Sequence, residues 1–513
     1  MDGLLLIPIL LPMASGIFIL LASFLEHLRE AGTLDGKKSA GVQVKSRADR
    51  LRFLHVTVMT VLSVSAVAAL ALAWTGKRSL TLFTLLQDIP VFFRVDEVGR
   101  LFVSVVSVVW LAAGLYSLVY MRHEGEEKRY FGFYLLLYGV MVALSFSGNL
   151  VTLYLFYELM TLVSFVLVMH SGTRESVMAA LKYLFYSMCG AYAGLFGIFF
   201  LNRYSDSLTF EAGGVLGTSA AGHEEILLAA VFVMLVGFGT KAGMLPLHAW
   251  LPAAHPVAPS PASAVFSGII VKAGALAVIR VVYYVVGPGF IRGTWVQYAW
   301  MTLTLITVFM GSLLAFREKV FKKRLAYSTV SQVSYILFGL SLLTPLGFTG
   351  ALLHVVAHAV IKCGLFLTAG IFLYRLGFSR VEQLTGLGKK MPAVMWCYTI
   401  FSLGLIGIPP TAGFISKWYL AEGALASEID IFSWLGPVVL LVSALLTAGY
   451  LLPITMKGFF PGEEAETLDL KRTKISPCML LPLLILAAAT LLLGIFPNAL
   501  TGCAAEIART VLG

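Results

Sequence analysis

The chain has 513 residues, of which 59% are apolar and only 12% charged, and its mean hydropathy is +0.89. Because soluble proteins are about 25% charged, this composition excludes an ordinary water-soluble enzyme and indicates a membrane protein. The net charge of +10 first indicates loops held on the cytoplasmic side of a membrane, rather than a nucleic-acid partner.

Apolar stretches bounded by glycine, proline or charge predict about fourteen transmembrane helices, since one crossing needs about 20 residues. Spans 1 to 14 cover residues 4–28, 53–74, 101–121, 130–146, 150–170, 177–201, 226–247, 259–286, 295–316, 325–343, 348–374, 391–420, 432–456 and 477–496. Span 1 lacks a basic leader and a small-residue cleavage site, so we interpret it as a retained helix rather than a signal peptide.

The basic residues of the predicted loops alternate between two sides. Loops after odd-numbered spans hold 24 Lys and Arg, whereas loops after even-numbered spans, with the C-terminal tail, hold 7. Because positive loops remain in the cytoplasm, we expect both termini on the non-cytoplasmic side. The expected location is the cytoplasmic membrane of a bacterium or archaeon.

Six basic residues fall inside the predicted spans and one acid lies deep inside a span, where a charge costs at least about 2.5 kcal/mol and has to face protein or water. They are Glu158, Lys182, Lys241, Lys272, Arg280, Lys362 and Lys417. A static ion pair between two helices would explain the presence of Glu158 and of one basic residue. It would not explain five lysines in the same bilayer, and this favours a transport role.

Span 7 is predicted to be discontinuous. Pro246 has no N–H, so the carbonyl of Ala242 loses its helical donor beside Lys241. Freed carbonyls at an interrupted membrane helix are typical of an ion site. His248 extends the polar line toward one surface, although a satisfied interfacial histidine is an equal alternative.

Span 12 is predicted to be interrupted in the same way, by Pro409 and Pro410 before Lys417. Interrupted helices at corresponding places in two halves predict an inverted-repeat transporter. The predicted units are three helices with a basic loop in residues 1–129, repeats in residues 130–286 and 295–456, and a last helix with a tail in residues 477–513.

Span 11 carries His354, His358 and Lys362 at i, i+4 and i+8, which places them in one stripe about 12 Å long. Histidine titrates near neutral pH, so the stripe could relay protons. A zinc site is disfavoured because no HExxH glutamate is present and Lys362 would repel a cation. A static polar contact between helices is the other alternative.

Five sequence blocks together resemble the antiporter-type membrane subunits shared by respiratory complex I, Mrp-type cation/proton antiporters and membrane-bound hydrogenases. The blocks are FYELMTLVSF, GTKAGMLPLHAWLPAAHPVAPSPASAVFSGIIVKAG, KKRLAYSTVSQVSYI, HVVAHAVIKCGLFL and IGIPPTAGFISKWYL. The resemblance implies an all-α polytopic fold of about fourteen helices, with inverted five-helix repeats in spans 4–8 and 9–13 and discontinuous spans 7 and 12.

The resemblance also implies a role for each buried charge. Glu158 and Lys241 would form a switchable pair, and Lys272 would lie in the middle of a hydrophilic axis. Lys182 matches a family lysine on span 6. The axis would lead to an exit through the residues His354, His358, Lys362 and Lys417.

The predicted function is proton translocation in a redox-driven complex I-like or hydrogenase complex, with no redox chemistry, cofactor or metal in the chain itself. The expected partners are the lipid bilayer, further antiporter-like and other membrane subunits, and a peripheral iron–sulfur arm, with no nucleic acid. One alternative is a D-type component of a multisubunit Na⁺/H⁺ antiporter of the Mrp kind. Another is a structural scaffold whose buried charges serve assembly.

Overall fold

The computed structural model describes residues 2–32, 40–85, 89–462 and 471–513. The side chains of residues 29–48, which include most of the basic loop predicted after span 1, lie outside the described part.

Helices dominate the described chain, with a single two-stranded hairpin between the second and third of them. The helices are α1 (Ile7–Gly32), α2 (Ala40–Trp74), α3 (Glu97–Glu124), α4 (Glu127–Ser145), α5 (Leu150–Val168), α6 (Arg174–Tyr204), α7 (Glu224–Lys241), α8 (Leu251–Val257), α9 (Ser260–Val265), α10 (Val271–Ile279), α11 (Pro288–Ile291), α12 (Trp295–Arg317), α13 (Phe321–Ser341), α14 (Pro345–Leu376), α15 (Leu387–Lys390), α16 (Pro392–Ile406), α17 (Ala412–Leu425), α18 (Phe432–Phe459), α19 (Pro477–Ile495) and α20 (Asn498–Leu512).

The prediction of a polytopic helical membrane protein is confirmed. Ten helices of the described chain are long and apolar enough to cross a membrane. The remaining predicted spans coincide with α4, α7, α13 and the pair α16–α17, which are shorter or more polar.

Two helices form the centre of the molecule. One is the continuous helix Ser260–Val286, which contains α9, α10 and the π-helical segments 266–270 and 280–286. The other is α14, and the most apolar part of both is completely buried. A helix that is apolar on all sides and lies within protein packs through small residues, and both helices are rich in glycine and alanine.

The two predicted interruptions are present. α7 ends at Lys241, and residues 242–250 connect it to the short α8. α16 ends at Ile406, and after Gly407, in the left-handed region with φ 92°, the chain passes Pro409 and Pro410 before α17 begins at Ala412.

The second interruption depends on a close approach of two backbones. A Cβ atom at Gly413 would overlap the carbonyl oxygen of Gly404. We expect Gly413→Ala to destabilise the protein by about 1 to 3 kcal/mol through overpacking. Thermal unfolding of the purified protein measures this effect.

Gly502 in α20 is the matched control, because a Cβ atom there would meet no heavy atom within 4 Å. Gly502→Ala should leave the unfolding temperature unchanged or raise it, since alanine favours helix by about 1 kcal/mol. Equal unfolding temperatures for the two variants would contradict the close approach.

The hydropathy pattern predicts no regular structure in the segment after span 2 or in the C-terminal tail. The structure has an antiparallel pair there, β1 (Ser79–Leu85) and β2 (Ile89–Arg94), with Ser79 opposite Arg94 and Leu80 opposite Phe93. The tail forms α20, which contacts α14 and buries Ala504, Ile507, Ala508 and Val511. Both elements are too short or too amphipathic to register as membrane spans.

Arg280, the in-span base to which the sequence analysis gave no role, forms a two-pronged ion pair. Its Nη1 donates to Asp96 Oδ2 at 2.5 Å and its Nη2 donates to Asp96 Oδ1 at 2.8 Å. The guanidinium lies over the rings of Phe210 and Tyr284. Asp96 also caps α3 by accepting from the Gly99 N–H, so this pair fixes the centre of the molecule to the start of α3.

We expect Asp96→Ala to cost about 3 to 5 kcal/mol of stability, because Arg280 would be left buried and unpaired. The double variant Asp96→Ala/Arg280→Met should recover much of this loss, since it removes the buried charge as well. Thermal unfolding of both variants tests the pair. A single variant as stable as the unmodified protein would show that the pair contributes nothing.

Candidate functional site

Lys241 lies at the end of α7, completely buried, and is surrounded by hydroxyl groups. Its Nζ donates to Thr161 Oγ1 at 2.9 Å, to Ser187 Oγ at 2.9 Å and to Tyr183 OH at 3.0 Å. Three hydroxyls match the three donors of an ammonium group, and a hydroxyl can also donate to a neutral amine. The site can therefore accommodate Lys241 with or without its extra proton.

Aromatic faces complete the surroundings of this ammonium group. Its Nζ lies 4.6 Å from the ring centroid of Tyr183, 5.6 Å from that of Tyr157 and 5.9 Å from that of Trp250. The indole of Trp250 donates to the Thr240 carbonyl at 2.8 Å. Aromatic rings attract a desolvated cation without supplying a full opposing charge.

Glu158, the predicted partner of Lys241, does not contact it. The carboxylate accepts from Tyr154 OH at 3.2 Å and forms no direct ion pair in the described part of the chain. It interacts with Lys241 only through space. Glu158 is half-buried on a face of α5 that also exposes Leu155 and Leu162.

Lys182 shares no hydrogen bond with Lys241 in the described part of the chain, although it interacts electrostatically with His248. It is exposed on the outer surface of α6, and its Nζ lies 6.0 Å from the ring centroid of Tyr186. Met178 and Phe185 are exposed on the same helix. His248 lies in the connection between α7 and α8, where its Nδ1 is buried without a hydrogen-bond partner among the described residues.

Lys272 joins the two predicted repeats at the centre of the molecule. Its Nζ lies 2.6 Å from His358 Nδ1 on α14, and it also donates to the Ser267 carbonyl at 2.7 Å. Ser267 belongs to the first π-helical segment, where a widened turn leaves carbonyls less fully used. Lys272 and His358 are both buried, so a proton can be exchanged between them without passing through bulk water.

From His358 the buried polar groups continue toward α17. The ring centroids of His358 and His354 are 5.9 Å apart, and His354 Nδ1 lies 2.9 Å from Ser416 Oγ. Tyr335 stacks on His354, and its ring centroid lies 5.0 Å from Lys417 Nζ. One end of the histidine stripe therefore reaches Lys417.

Lys417 uses the interruption between α16 and α17. Its Nζ donates to the carbonyls of Leu405 at 2.6 Å and Ile406 at 2.9 Å, at the C-terminus of α16. These carbonyls lack helical donors, and the helix dipole places partial negative charge there. Lys417 thus lies beyond its prolines yet reaches back to the break, whereas Lys241 is itself the last residue before its break.

Lys362 lies at the opposite end of the stripe. It is completely buried, donates to the Leu325 carbonyl at 2.9 Å, and contacts the hydroxyl of Ser328. The predicted stripe therefore runs from His358 toward Lys417 in one direction and toward Lys362 in the other, and His358 interacts with Lys362 electrostatically without a hydrogen bond between them.

Two residues extend the branch at Lys362. His255 interacts electrostatically with Lys362 and Lys322, its Nε2 has no hydrogen-bond partner among the described residues, and its ring stacks on Phe366. Lys322 donates to the carbonyls of Pro256 and Ala258. This branch points toward the end of α14 where the predicted basic loops lie.

Sequence reasoning missed the hydroxyl and amide groups that line this axis. They are Thr161, Tyr183, Ser187, Ser328, Gln332, Tyr335 and Ser416, all buried. Hydroxyls are common in membrane helices, so each is uninformative alone. The sequence feature that could have revealed them is the high density of polar residues in α13. Their spacing places Ser328, Gln332 and Tyr335 on one face of that helix.

Comparison with known proteins gives a consistent result. Residues 147–447 match the family model described as "NADH:quinone oxidoreductase/Mrp antiporter, TM". The chain is 33% identical to the N subunit of NADH-quinone oxidoreductase of Desulforudis audaxviator, over 78% of this chain and 81% of that protein.

Two further comparisons cover the whole chain. It is 27% identical to the D subunit of the Na⁺/H⁺ antiporter of Alkalihalophilus pseudofirmus, over 100% of this chain and 98% of that protein. In fold, it is similar to a chain of the Mrp complex from Dietzia, with a TM-score of 0.81, 23% identity, and 100% and 99% of the two chains covered.

Proposed function

We propose that this chain moves protons across the membrane along its buried axis. The chain belongs to the NADH:quinone oxidoreductase/Mrp antiporter family of membrane subunits. The observation that carries this proposal is the 2.6 Å contact between Lys272 and His358. That contact connects the lysine of the first half to the histidine stripe of the second.

In this proposal each lysine stores one proton, and its affinity depends on the charge nearby. Lys241 holds a proton among hydroxyls that suit both protonation states, and Glu158 acts on it through space. A change of charge near Glu158 would alter the proton affinity of Lys241 and drive its proton toward Lys272. From His358 the proton then has two paths, one toward Lys362 and one toward Lys417.

The half-buried Glu158 and the exposed Lys182 indicate that partner subunits cover part of the outer surface. A charged side chain on a membrane-spanning surface is too costly to face lipid tails. We therefore propose that another membrane subunit covers the outer faces of α5 and α6, and that such subunits include further antiporter-like ones. The driving reaction would lie in a peripheral iron–sulfur arm, with no redox chemistry in this chain.

The proposed location is the cytoplasmic membrane of a bacterium or archaeon, with both termini on the non-cytoplasmic side. The uneven distribution of basic residues between the two sets of loops, 24 against 7, supports this orientation.

A second candidate function is ion exchange in a multisubunit Na⁺/H⁺ antiporter without a redox arm. The observation in its favour is the end-to-end match to the D subunit of such an antiporter. A third candidate function is a scaffold without transport. Lys241 disfavours it, because the ammonium group bonds to three hydroxyls and forms no ion pair with an acid that would hold two helices together.

One experiment separates these functions. The complex is purified through a tag on this chain, its subunits are identified, and proton uptake is measured in proteoliposomes with and without sodium. Iron–sulfur subunits and sodium-independent uptake driven by an electron donor support the redox pump. Small membrane subunits with sodium-dependent uptake support the antiporter, and no uptake under either condition contradicts both.

A further inference from the structure

Helices α13 and α14 pack side by side in antiparallel directions, and two contacts fix their register. At one end, Lys362 of α14 donates to the Leu325 carbonyl of α13 at 2.9 Å. At the other end, the ring of His354 stacks on Tyr335, with the ring centroids 5.4 Å apart. His358 lies about one helical turn from both Lys362 and His354. It is therefore level with the α13 segment between these two contacts.

Gln332 belongs to that segment of α13 and is completely buried. Neither end of its side-chain amide has a hydrogen-bond partner among the described residues. The Tyr335 hydroxyl is close to this amide, but it donates to the Leu440 carbonyl at 2.9 Å. His354 is close to the backbone of Gln332. Because a buried amide is stable only when it is hydrogen-bonded, we expect a further polar group beside Gln332.

Each histidine of the stripe has one ring nitrogen with a partner and one without. His358 Nδ1 lies 2.6 Å from Lys272 Nζ, and His354 Nδ1 lies 2.9 Å from Ser416 Oγ. The Nε2 atoms of both rings are buried and have no hydrogen-bond partner among the described residues. The ring centroids are 5.9 Å apart. A relay along this stripe therefore needs a group that bridges the two Nε2 atoms.

The partners of the Nδ1 atoms decide where each neutral ring carries its hydrogen. A protonated Lys272 donates to His358 Nδ1, so a neutral His358 carries its hydrogen on Nε2. The Ser416 hydroxyl donates to the Gly413 carbonyl at 3.1 Å and accepts from His354 Nδ1, which leaves His354 Nε2 as an acceptor. The two Nε2 atoms are thus a donor and an acceptor, a pair that one water molecule can join.

We propose that Gln332 is a positioning residue that holds an ordered water molecule between His358 Nε2 and His354 Nε2. This inference rests on the proposed function and names the group that connects its two histidines. The water accepts from His358, donates to His354 and forms a third hydrogen bond with the Gln332 amide. Three hydrogen bonds are typical of a buried water.

The proton step is balanced along this bridge. Lys272 passes a proton to His358 Nδ1, and the Nε2 proton of His358 passes to the water. The water passes one of its own protons to His354 Nε2. Lys272 ends neutral, His354 ends with a positive charge, and His358 and the water are unchanged in charge.

The test compares proton uptake in proteoliposomes for two substitutions of Gln332 in the purified complex. Gln332→Met keeps the length of the side chain but removes both polar ends, whereas Gln332→Asn keeps the amide and is one methylene shorter. We expect Gln332→Met to lower uptake about two- to tenfold, the effect of losing one hydrogen bond. Gln332→Asn should retain more uptake than Gln332→Met. Packing alone would reverse this order, because only the shorter side chain leaves a cavity.

Ser334→Ala is the matched control on α13, because the buried Ser334 hydroxyl donates to the Val330 carbonyl of its own helix. Normal uptake is expected for this variant. A second measurement does not depend on transport. An electron cryomicroscopy map that resolves ordered water should show one between the two Nε2 atoms in the unmodified complex and none there in Gln332→Met.

Three outcomes would overturn the inference: normal uptake by Gln332→Met, uptake by Gln332→Met at least equal to that of Gln332→Asn, or a map in which His354 Nε2 bonds directly to the Gln332 carbonyl. The variant His358→Leu separates this inference from the proposed function. If it blocks uptake while Gln332→Met transports normally, only the role of Gln332 is wrong. If both transport normally, the relay through His358 is wrong as well.

Discussion

Lys241→Ala should reduce proton translocation by the reconstituted complex more than about tenfold, since loss of an obligatory carrier raises the barrier by more than ~1.4 kcal/mol. The three hydroxyls of Thr161, Tyr183 and Ser187 would remain, but without a group that carries a proton between them and Lys272. Proton uptake in proteoliposomes with a pH-sensitive dye measures the loss.

Assembly should survive this change. Removing one member of a buried ion pair is costly because the other charge remains unpaired, but Lys241 contacts no acid among the described residues. The variant should therefore copurify with its partners in normal yield. Reduced yield with normal transport per complex would contradict the carrier role and favour a scaffold.

Ser187→Ala serves as the graded control. It removes one of the three hydrogen bonds to Lys241 but leaves the ammonium group in place. We expect transport to fall much less than in Lys241→Ala, because the ammonium group keeps its hydrogen bonds to Thr161 and Tyr183 and can still carry a proton. A loss as complete as that of Lys241→Ala would mean that geometry, not proton storage, limits transport.

His358→Leu should produce a loss as large as that of Lys241→Ala, because it cuts the contact between the two halves. Lys272 Nζ would keep its bond to the Ser267 carbonyl but would lose the titratable group that joins it to both branches. The measurement is again proton uptake, together with thermal unfolding to confirm that the protein folds.

Cys363→Ala is the matched control for this second variant. Cys363 lies on the same helix, is completely buried and forms no hydrogen bond among the described residues, and it interacts with Lys272 only electrostatically. Normal uptake is expected. Normal uptake in His358→Leu would show that protons do not pass through His358, and would leave the Lys272 contact a structural one.

Much of the molecule follows from its sequence. A membrane helix must satisfy its backbone internally, so long apolar runs predict helices directly. The confirmed features are the polytopic helical fold and the two interrupted helices at Pro246 and at Pro409 and Pro410. Membership of the antiporter-like family of membrane subunits is confirmed as well. The role of each site residue stays a prediction, as do the domain boundaries and the orientation.

The hairpin and α20 were beyond this reasoning for a physical reason. Neither element is long and apolar enough to register as a membrane span. The buried residues Val91 and Phe93 of β2 and Ile507 of α20 pack against other helices of the same chain, whereas most of β1 is exposed. The sequence shows that α20 is amphipathic, but only the tertiary structure shows that its apolar face packs against α14.

The sequence by itself determined that charged side chains lie inside the membrane, because hydropathy and the cost of a buried charge need no coordinates. Which of those charges meet was decided only by tertiary structure. A helical sequence gives the face on which a side chain lies but not the helix opposite it. Packing therefore separated Glu158 from direct contact with Lys241, turned Lys182 outward, paired Arg280 with Asp96, and brought Lys272 to His358.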